Sequence, residues 1–190
     1  MYEQDVAEIL IREMQEEGNL NGLVDMALVE VMNVQRAQKE GHNSPSPNQQ
    51  QFNNPYDLVY AIENEPFSRS ARLLKLILPS LYGQRTPRVY DLLTMLVAWD
   101  FTWEYLGIGE EMLNSMLYTW DNSLFPHVKK LLKSPFPKAR VAGTYALVVM
   151  DPQKSIPLLK KSIRREKNIQ AKTQMQANLQ AAENYVAKHK

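Results

Sequence analysis

The chain has 190 residues, a formal net charge of +1, no cysteine and 44% hydrophobic residues. Without a thiol it forms neither a disulfide framework nor a cysteine-based zinc site, and its many aliphatic residues exclude a collagen-like or fully disordered chain. No run of about eighteen apolar residues is free of charge, so we expect no membrane-spanning helix.

The first residues, MYEQDVAEIL, carry Glu3, Asp5 and Glu8 but no basic side chain. A secretory signal peptide requires a basic segment before its apolar run, so we do not expect one here. Together with the expected lack of a membrane segment, this favours a cytoplasmic protein.

The near-zero net charge conceals an acidic start and a basic end. Residues 1–66 hold three basic against twelve acidic side chains, which gives −9. Residues 67–121 total −1, and residues 122–190 reach +11 from fourteen basic and three acidic side chains. This asymmetry predicts an acidic partner for the basic end or a contact between the two ends, either head to tail between copies or folded back within one chain. Two solvated surfaces that never meet explain it equally well.

Apolar residues recur at helical spacing almost throughout the chain. The first two runs end at Gly18 and near Ala37, and they predict an acidic helical hairpin over residues 1–40. Residues 41–54, GHNSPSPNQQQFNN, hold too few apolar side chains to pack a core. We therefore expect a flexible polar linker or loop there.

Residues 55–190 are predicted to form a helical repeat region made of short helices. Three of these helices are predicted to start with a capping side chain followed by a proline, which the first turn of a helix accepts. These starts are Asn54-Pro55, Thr86-Pro87 and Asp151-Pro152. Pro79 should kink or end the run that precedes it, and a run from Val89 should continue to about Gly107. Strand patterns are nearly absent, so the sequence predicts an all-α protein of about nine or ten helices.

The basic end contains an internal repeat, because residues 125–150 match residues 156–181 at an offset of 31. Three matched pairs are basic: Lys129 with Lys160, Lys130 with Lys161 and Lys133 with Arg164. Each copy predicts a short helix, a turn and a longer helix. One such unit cannot bury its apolar face alone, so stacked copies are expected to share a core.

The stretch LLKSPFPKARVAGTYALVVMDPQKSIPLLKKSI resembles HEAT repeats, especially the short variety also seen in bilin-lyase-like proteins. The features that match are the Leu-Leu-Lys helix end, Pro135, Pro137, Arg140, Ala142, Ala146-Leu147, and Asp151-Pro152 before Ile156-Pro157-Leu158-Leu159. Ser134 stands where the family usually has a turn aspartate that bonds to the repeat arginine. The resemblance covers about residues 122–180 and implies antiparallel hairpins stacked as a HEAT-like superhelix.

The candidate partner-binding residues are the matched basic side chains together with a neighbouring arginine: Lys129, Lys130, Lys133, Lys160, Lys161, Arg164 and Arg165. Apolar residues take the inward positions of these helices, so stacking is expected to align the cations into one outward ridge. Such a ridge suits an acidic protein surface. Merely solvated lysines are the alternative, and nucleic acid is less favoured because the acidic end would repel a long polyanion.

A second candidate site contains all three tryptophans: Trp99, Trp103 and Trp120, beside Asp100. Trp99 and Trp103 are predicted to share one helix face. Some HEAT-like alkylpurine DNA glycosylases use tryptophans and an aspartate around their lesion, which implies an alternative function on a nucleobase or a bilin-type chromophore. Large core residues are the simpler explanation.

Other catalytic signatures are missing from the sequence. It contains no G-x-x-x-x-G-K-[ST], G-x-G-x-x-G, H-E-x-x-H or G-x-S-x-G, and its three histidines are far apart. We therefore expect no catalytic residue, no cofactor and no metal. The sequence favours a non-enzymatic helical-repeat protein that binds another macromolecule, with a protein as the favoured partner.

Overall fold

A computed structural model describes residues 6–39, 66–118 and 120–189. Within these ranges the chain forms ten α-helices and no strand, which confirms the all-α prediction. The predicted linker over residues 41–54 and the helix start at Asn54-Pro55 lie outside the described residues. The chain divides into two compact units, Met1–Leu81 and Tyr82–Lys190.

The first unit contains three helices in its described part: α1 (Val6–Glu16), α2 (Leu20–Lys39) and α3 (Pro66–Leu81). All three pack against one another, which groups α3 with α1 and α2 in the first unit. Pro79 lies inside α3, which ends two residues later. Buried Glu30 on α2 accepts a hydrogen bond of 2.7 Å from Ser70 Oγ on α3, so a polar contact also joins these helices.

The second unit contains the other seven described helices: α4 (Pro87–Val97), α5 (Asp100–Glu104), α6 (Gly109–Tyr118), α7 (Leu124–Leu131), α8 (Pro137–Met150), α9 (Pro152–Arg165) and α10 (Ile169–Lys188). Helix α8 is central, because it packs against α6, α7, α9 and α10. Gly143 allows a close approach between α7 and α8, since a Cβ at this position would lie 2.7 Å from Leu131 Cβ. The two predicted repeat units correspond to the packed pairs α7–α8 and α9–α10.

Two of the predicted proline starts are confirmed by their hydrogen bonds. Thr86 Oγ1 accepts from the Val89 amide at 3.3 Å, and Asp151 Oδ1 accepts from the Lys154 amide at 3.0 Å. Each side chain thus satisfies a backbone donor that the first turn of a helix leaves without an internal partner.

The helix expected from Val89 to about Gly107 is wrong, because it breaks between α4 and α5. Trp99 has an extended backbone and precedes α5, so it does not share a helix face with Trp103. In an unbroken helix the Phe101 amide would donate to the Val97 carbonyl. Here Asp100 Oδ1 accepts from that amide at 2.9 Å, and the Trp103 indole nitrogen donates to that carbonyl at 2.8 Å. Side chains therefore satisfy both groups that the break separates.

Candidate functional site

A groove of about 540 Å³ lies between α7 and α9 in the second unit. We call it the basic groove, and its lining consists of Lys129, Leu132, Lys133, Arg140, Leu158, Lys161, Ser162, Arg165, Glu166 and Lys167. Leu132 and Leu158 are half-buried and supply apolar surface. The groove therefore offers both positive charge and hydrophobic contact to whatever enters it.

Six of the side chains that line the basic groove are cations, and one is a carboxylate, so its formal charge is +5. The carboxylate, Glu166, is bound to Arg140. No salt bridge within the described residues involves the five remaining cations, Lys129, Lys133, Lys161, Arg165 and Lys167. Several like charges around one concave surface focus a positive field, which attracts anionic groups.

Arg140 and Glu166 form a bidentate ion pair at the edge of the groove. Arg140 Nε and Nη2 donate to the two carboxylate oxygens at 2.6 and 2.7 Å. Arg140 Nη1 also donates to the carbonyls of Ser134 and Pro135, both at 2.8 Å. The Arg140 hydrogen bond lowers the pKa of Glu166 below its ordinary value, and Glu166 in turn raises the pKa of Arg140. The pair therefore stays ionised and holds the turn after α9 against α8.

Ser134 does not serve as the partner of Arg140 through its side chain. Its hydroxyl donates to the Ala98 carbonyl at 2.8 Å and accepts from the Phe136 amide at 3.1 Å. The acidic partner of Arg140 is instead Glu166, which lies in the turn after α9 in the second repeat unit. Sequence reasoning missed Glu166, although it is the one acidic residue between Asp151 and Glu183 in a strongly basic stretch.

Three of the seven predicted partner-binding cations lie outside the lining of the basic groove. Lys130 Nζ is 2.7 Å from Asp91 Oδ1 on α4, and Lys160 Nζ is 2.8 Å from Glu183 Oε1 on α10. The Lys130 hydrogen bond is the main cause that lowers the pKa of Asp91. Arg164 is exposed and also lies outside the lining. The structure therefore does not align all seven cations into the single ridge that the sequence suggested.

The geometry of a repeat explains this division. In a stack of repeats, matched positions of neighbouring copies face the same way along the stack, so only one member of each matched pair can face the space between the copies. Lys129 lies on α7 and Lys133 lies two residues after its end, whereas Lys161 and Arg165 lie on α9. Each matched basic pair consequently gives one cation to the groove and one to another surface.

The predicted tryptophan site is not assembled as expected. Trp103 lines a second groove of about 570 Å³, whose lining does not include Trp99, Asp100 or Trp120. The Trp99 ring stacks on Phe101 with centroids 4.6 Å apart. Asp100 is exposed, and its Oδ1 accepts a hydrogen bond from the Phe101 amide. Trp120 is 36% exposed. This arrangement gives no support to a shared pocket for a nucleobase or chromophore.

The second groove lies on the other side of α8 from the basic groove. Arg140 lines one groove, whereas Val141 and Tyr145 line the other. At about 100° per residue, positions 141 and 145 point away from position 140. Lys138 at this second groove is paired with Glu104 at 2.6 Å, so the strong excess of unpaired positive charge belongs to the basic groove.

Among the described residues, no group of three histidine or carboxylate side chains is placed to hold a metal ion. No helix in the described ranges is long and apolar enough to cross a bilayer. Comparisons with protein-family models, curated proteins and solved structures give no match to this chain.

Proposed function

We propose that the chain is a non-enzymatic helical-repeat protein that binds an acidic segment of a partner protein chain through the basic groove. The observation that carries this proposal is the set of five cations that surround the groove without a carboxylate partner in the described residues. Charges left without internal partners gain most from an external anion. HEAT-like stacking of the pairs α7–α8 and α9–α10 is part of the same proposal, supported by their packing.

A protein segment suits this groove better than a long nucleic acid does. Half-buried Leu132 and Leu158 provide apolar contact that a side chain can cover. Residues 1–66 carry −9, and this negative charge on the same chain disfavours a long polyanion as the ligand. Electrostatic steering by the cations would speed the encounter with an acidic segment and make its binding sensitive to salt.

Peptide binding tests this proposal with a matched pair of variants. The groove variant is Lys129→Gln, Lys133→Gln and Lys161→Gln; the outer variant is Lys130→Gln, Lys160→Gln and Arg164→Gln. Each variant loses three positive charges, but only the groove variant loses them from the lining of the groove. Fluorescence anisotropy would follow a short labelled peptide of alternating Glu and Leu, with a Gln–Leu peptide as the uncharged control.

We expect the acidic peptide to bind the wild type and the outer variant with affinities within about threefold, and the groove variant at least about tenfold more weakly. The Gln–Leu peptide should bind poorly to all three proteins. Absence of binding to the wild type would refute the proposed function. Equal weakening by both variants would show attraction to overall charge rather than to the groove.

A further inference from the structure

Helix α1 presents an outward face that is apolar at its start and acidic at its end. The exposed fractions of Val6, Ile9 and Leu10 are 69%, 39% and 41%. Exposed Glu13, Glu16 and Glu17 continue the same face by helical spacing. No salt bridge in the described residues neutralises these three carboxylates.

The opposite face of α1 is fixed to the rest of its unit. Ile11 is fully buried, and Glu8 lies 3.1 Å from Arg72 on α3. The Gln15 side-chain amide donates to the Leu76 carbonyl at 2.9 Å and to Ser80 Oγ at 2.8 Å. These contacts orient the helix before any partner arrives, so little ordering would oppose binding by its outward face.

We propose that the outward face of α1 in one copy binds the basic groove of a second copy. This inference rests on the proposed function and names its partner. The carboxylates of Glu13, Glu16 and Glu17 match the unpaired cations of the groove, and exposed Leu10 and Val6 match its leucine surface. Charge complementarity extends beyond the contact, because Met1–Leu81 sums to −6 and Tyr82–Lys190 to +7.

Such a contact is head-to-tail rather than symmetric. The surface of α1 and the basic groove are different surfaces, so each copy offers one of each. A heterologous contact of this kind closes into a ring or continues as an open assembly. The exposed charges that contribute to it are screened beyond about 8–10 Å at moderate ionic strength, so added salt should weaken the assembly.

Sedimentation velocity of the full chain tests the contact over a range of protein concentrations. In about 0.05 M salt we expect the average mass to rise above the 21.9 kDa of one chain, and in about 0.5 M salt we expect it to return to that value. The groove variant should remain monomeric in low salt. So should an α1 variant with Glu13→Gln, Glu16→Gln and Glu17→Gln, whereas the outer variant should assemble like the wild type.

Mixing the groove variant with the α1 variant gives the sharpest result. One retains an intact α1 and the other an intact groove, so equal amounts should form a complex of two chains that grows no further. Circular dichroism would verify that each variant keeps its helices, and the salt series on the wild type does not depend on any variant.

Three results would overturn the inference. A wild type that stays monomeric at every concentration, while the acidic peptide still binds, refutes α1 as the partner but leaves the proposed function standing. Assembly that persists in the groove variant places the contact elsewhere. A mixture in which the two variants do not pair removes the head-to-tail geometry. Failure of the proposed function itself would instead appear as absence of peptide binding.

Discussion

Arg140 and Glu166 form a bidentate ion pair, with nitrogen–oxygen distances of 2.6 and 2.7 Å, that joins α8 to the turn after α9. The Glu166 side chain is 1% exposed and that of Arg140 is 17% exposed. Glu166 Oε1 also accepts from the Asn168 amide at 2.9 Å, just before α10 begins. One carboxylate thus connects both repeat units and occupies an edge of the basic groove.

Replacement of Glu166 by Gln should lower the free energy of unfolding at neutral pH by about 2–4 kcal/mol, because it leaves the half-buried guanidinium of Arg140 without its anion. Arg140 lowers the pKa of Glu166 in the folded state. Stability from this pair is therefore complete above the ordinary pKa of 4.5 and is lost as pH falls through the lower folded value. Urea unfolding at several pH values should show the two proteins converging in acid.

Glu183→Gln provides the control for this measurement. Its ion pair with Lys160 is more exposed, with side-chain exposures of 36% and 51%. We expect its effect at neutral pH to stay below about 1 kcal/mol. A difference between wild type and Glu166→Gln that stays constant from neutral pH to strong acid would contradict the linkage.

Tyr82 should titrate well above an ordinary tyrosine. Burial, followed by the nearby charge of Glu111, raises its pKa from 10.0 to about 12. A raised folded pKa stabilises the protein below pH 10.0 and withdraws that contribution as pH rises toward 12. Ultraviolet difference titration of wild type against Tyr82→Phe should place the missing tyrosinate signal near pH 12. If the tyrosinate signal that Tyr82→Phe removes instead appears near pH 10.0, the burial of the Tyr82 hydroxyl is contradicted.

Gly109→Ala should destabilise the protein by about 1–3 kcal/mol, although alanine is normally the better helix former. A Cβ at Gly109 would clash with Cδ2 of the Trp103 indole, and hydrogen bonding to the Val97 carbonyl restrains that ring. The ring cannot withdraw without losing this bond. Thermal unfolding followed by circular dichroism would measure the loss.

The companion measurement for Gly109 is a double-mutant cycle with Trp103→Leu. Removal of the indole should make Gly109→Ala nearly neutral or favourable, so the two changes should couple by at least about 1 kcal/mol. Strictly additive effects would show that the glycine is required for another reason.

Local chemistry explains which parts of the fold were predictable. The starts at Thr86 and Asp151 depend on one side chain and an amide three residues later, so the sequence contains both partners. The break near Trp99 depends on Asp100 and Trp103 replacing a helical hydrogen bond. Periodicity of apolar residues does not encode that replacement, because Trp99 and Trp103 remain compatible with one helix face.

The same distinction applies to the candidate site. The repeat correctly indicated that Lys129 and Lys161 are exposed. Which of the basic side chains lie together in one groove depends on the helices that pack beside each of them. Lys130 forms a salt bridge with Asp91 on α4, whereas no salt bridge within the described residues involves Lys161. Partners from distant segments therefore decide which cations remain unpaired, and a single sequence does not supply those distances.

The unpaired cations of the groove should also affect the urea concentration at which the protein unfolds. Neutralising Lys129, Lys133 and Lys161 removes mutual repulsion, so the groove variant should unfold at an equal or slightly higher urea concentration than the wild type. The outer variant loses the ion pairs of Lys130 and Lys160, which are partly exposed and contribute about 0.2–1 kcal/mol each. Its midpoint should therefore decrease. Added salt should shrink both differences through screening, and a clear loss of stability in the groove variant would mean that those cations have carboxylate partners in solution.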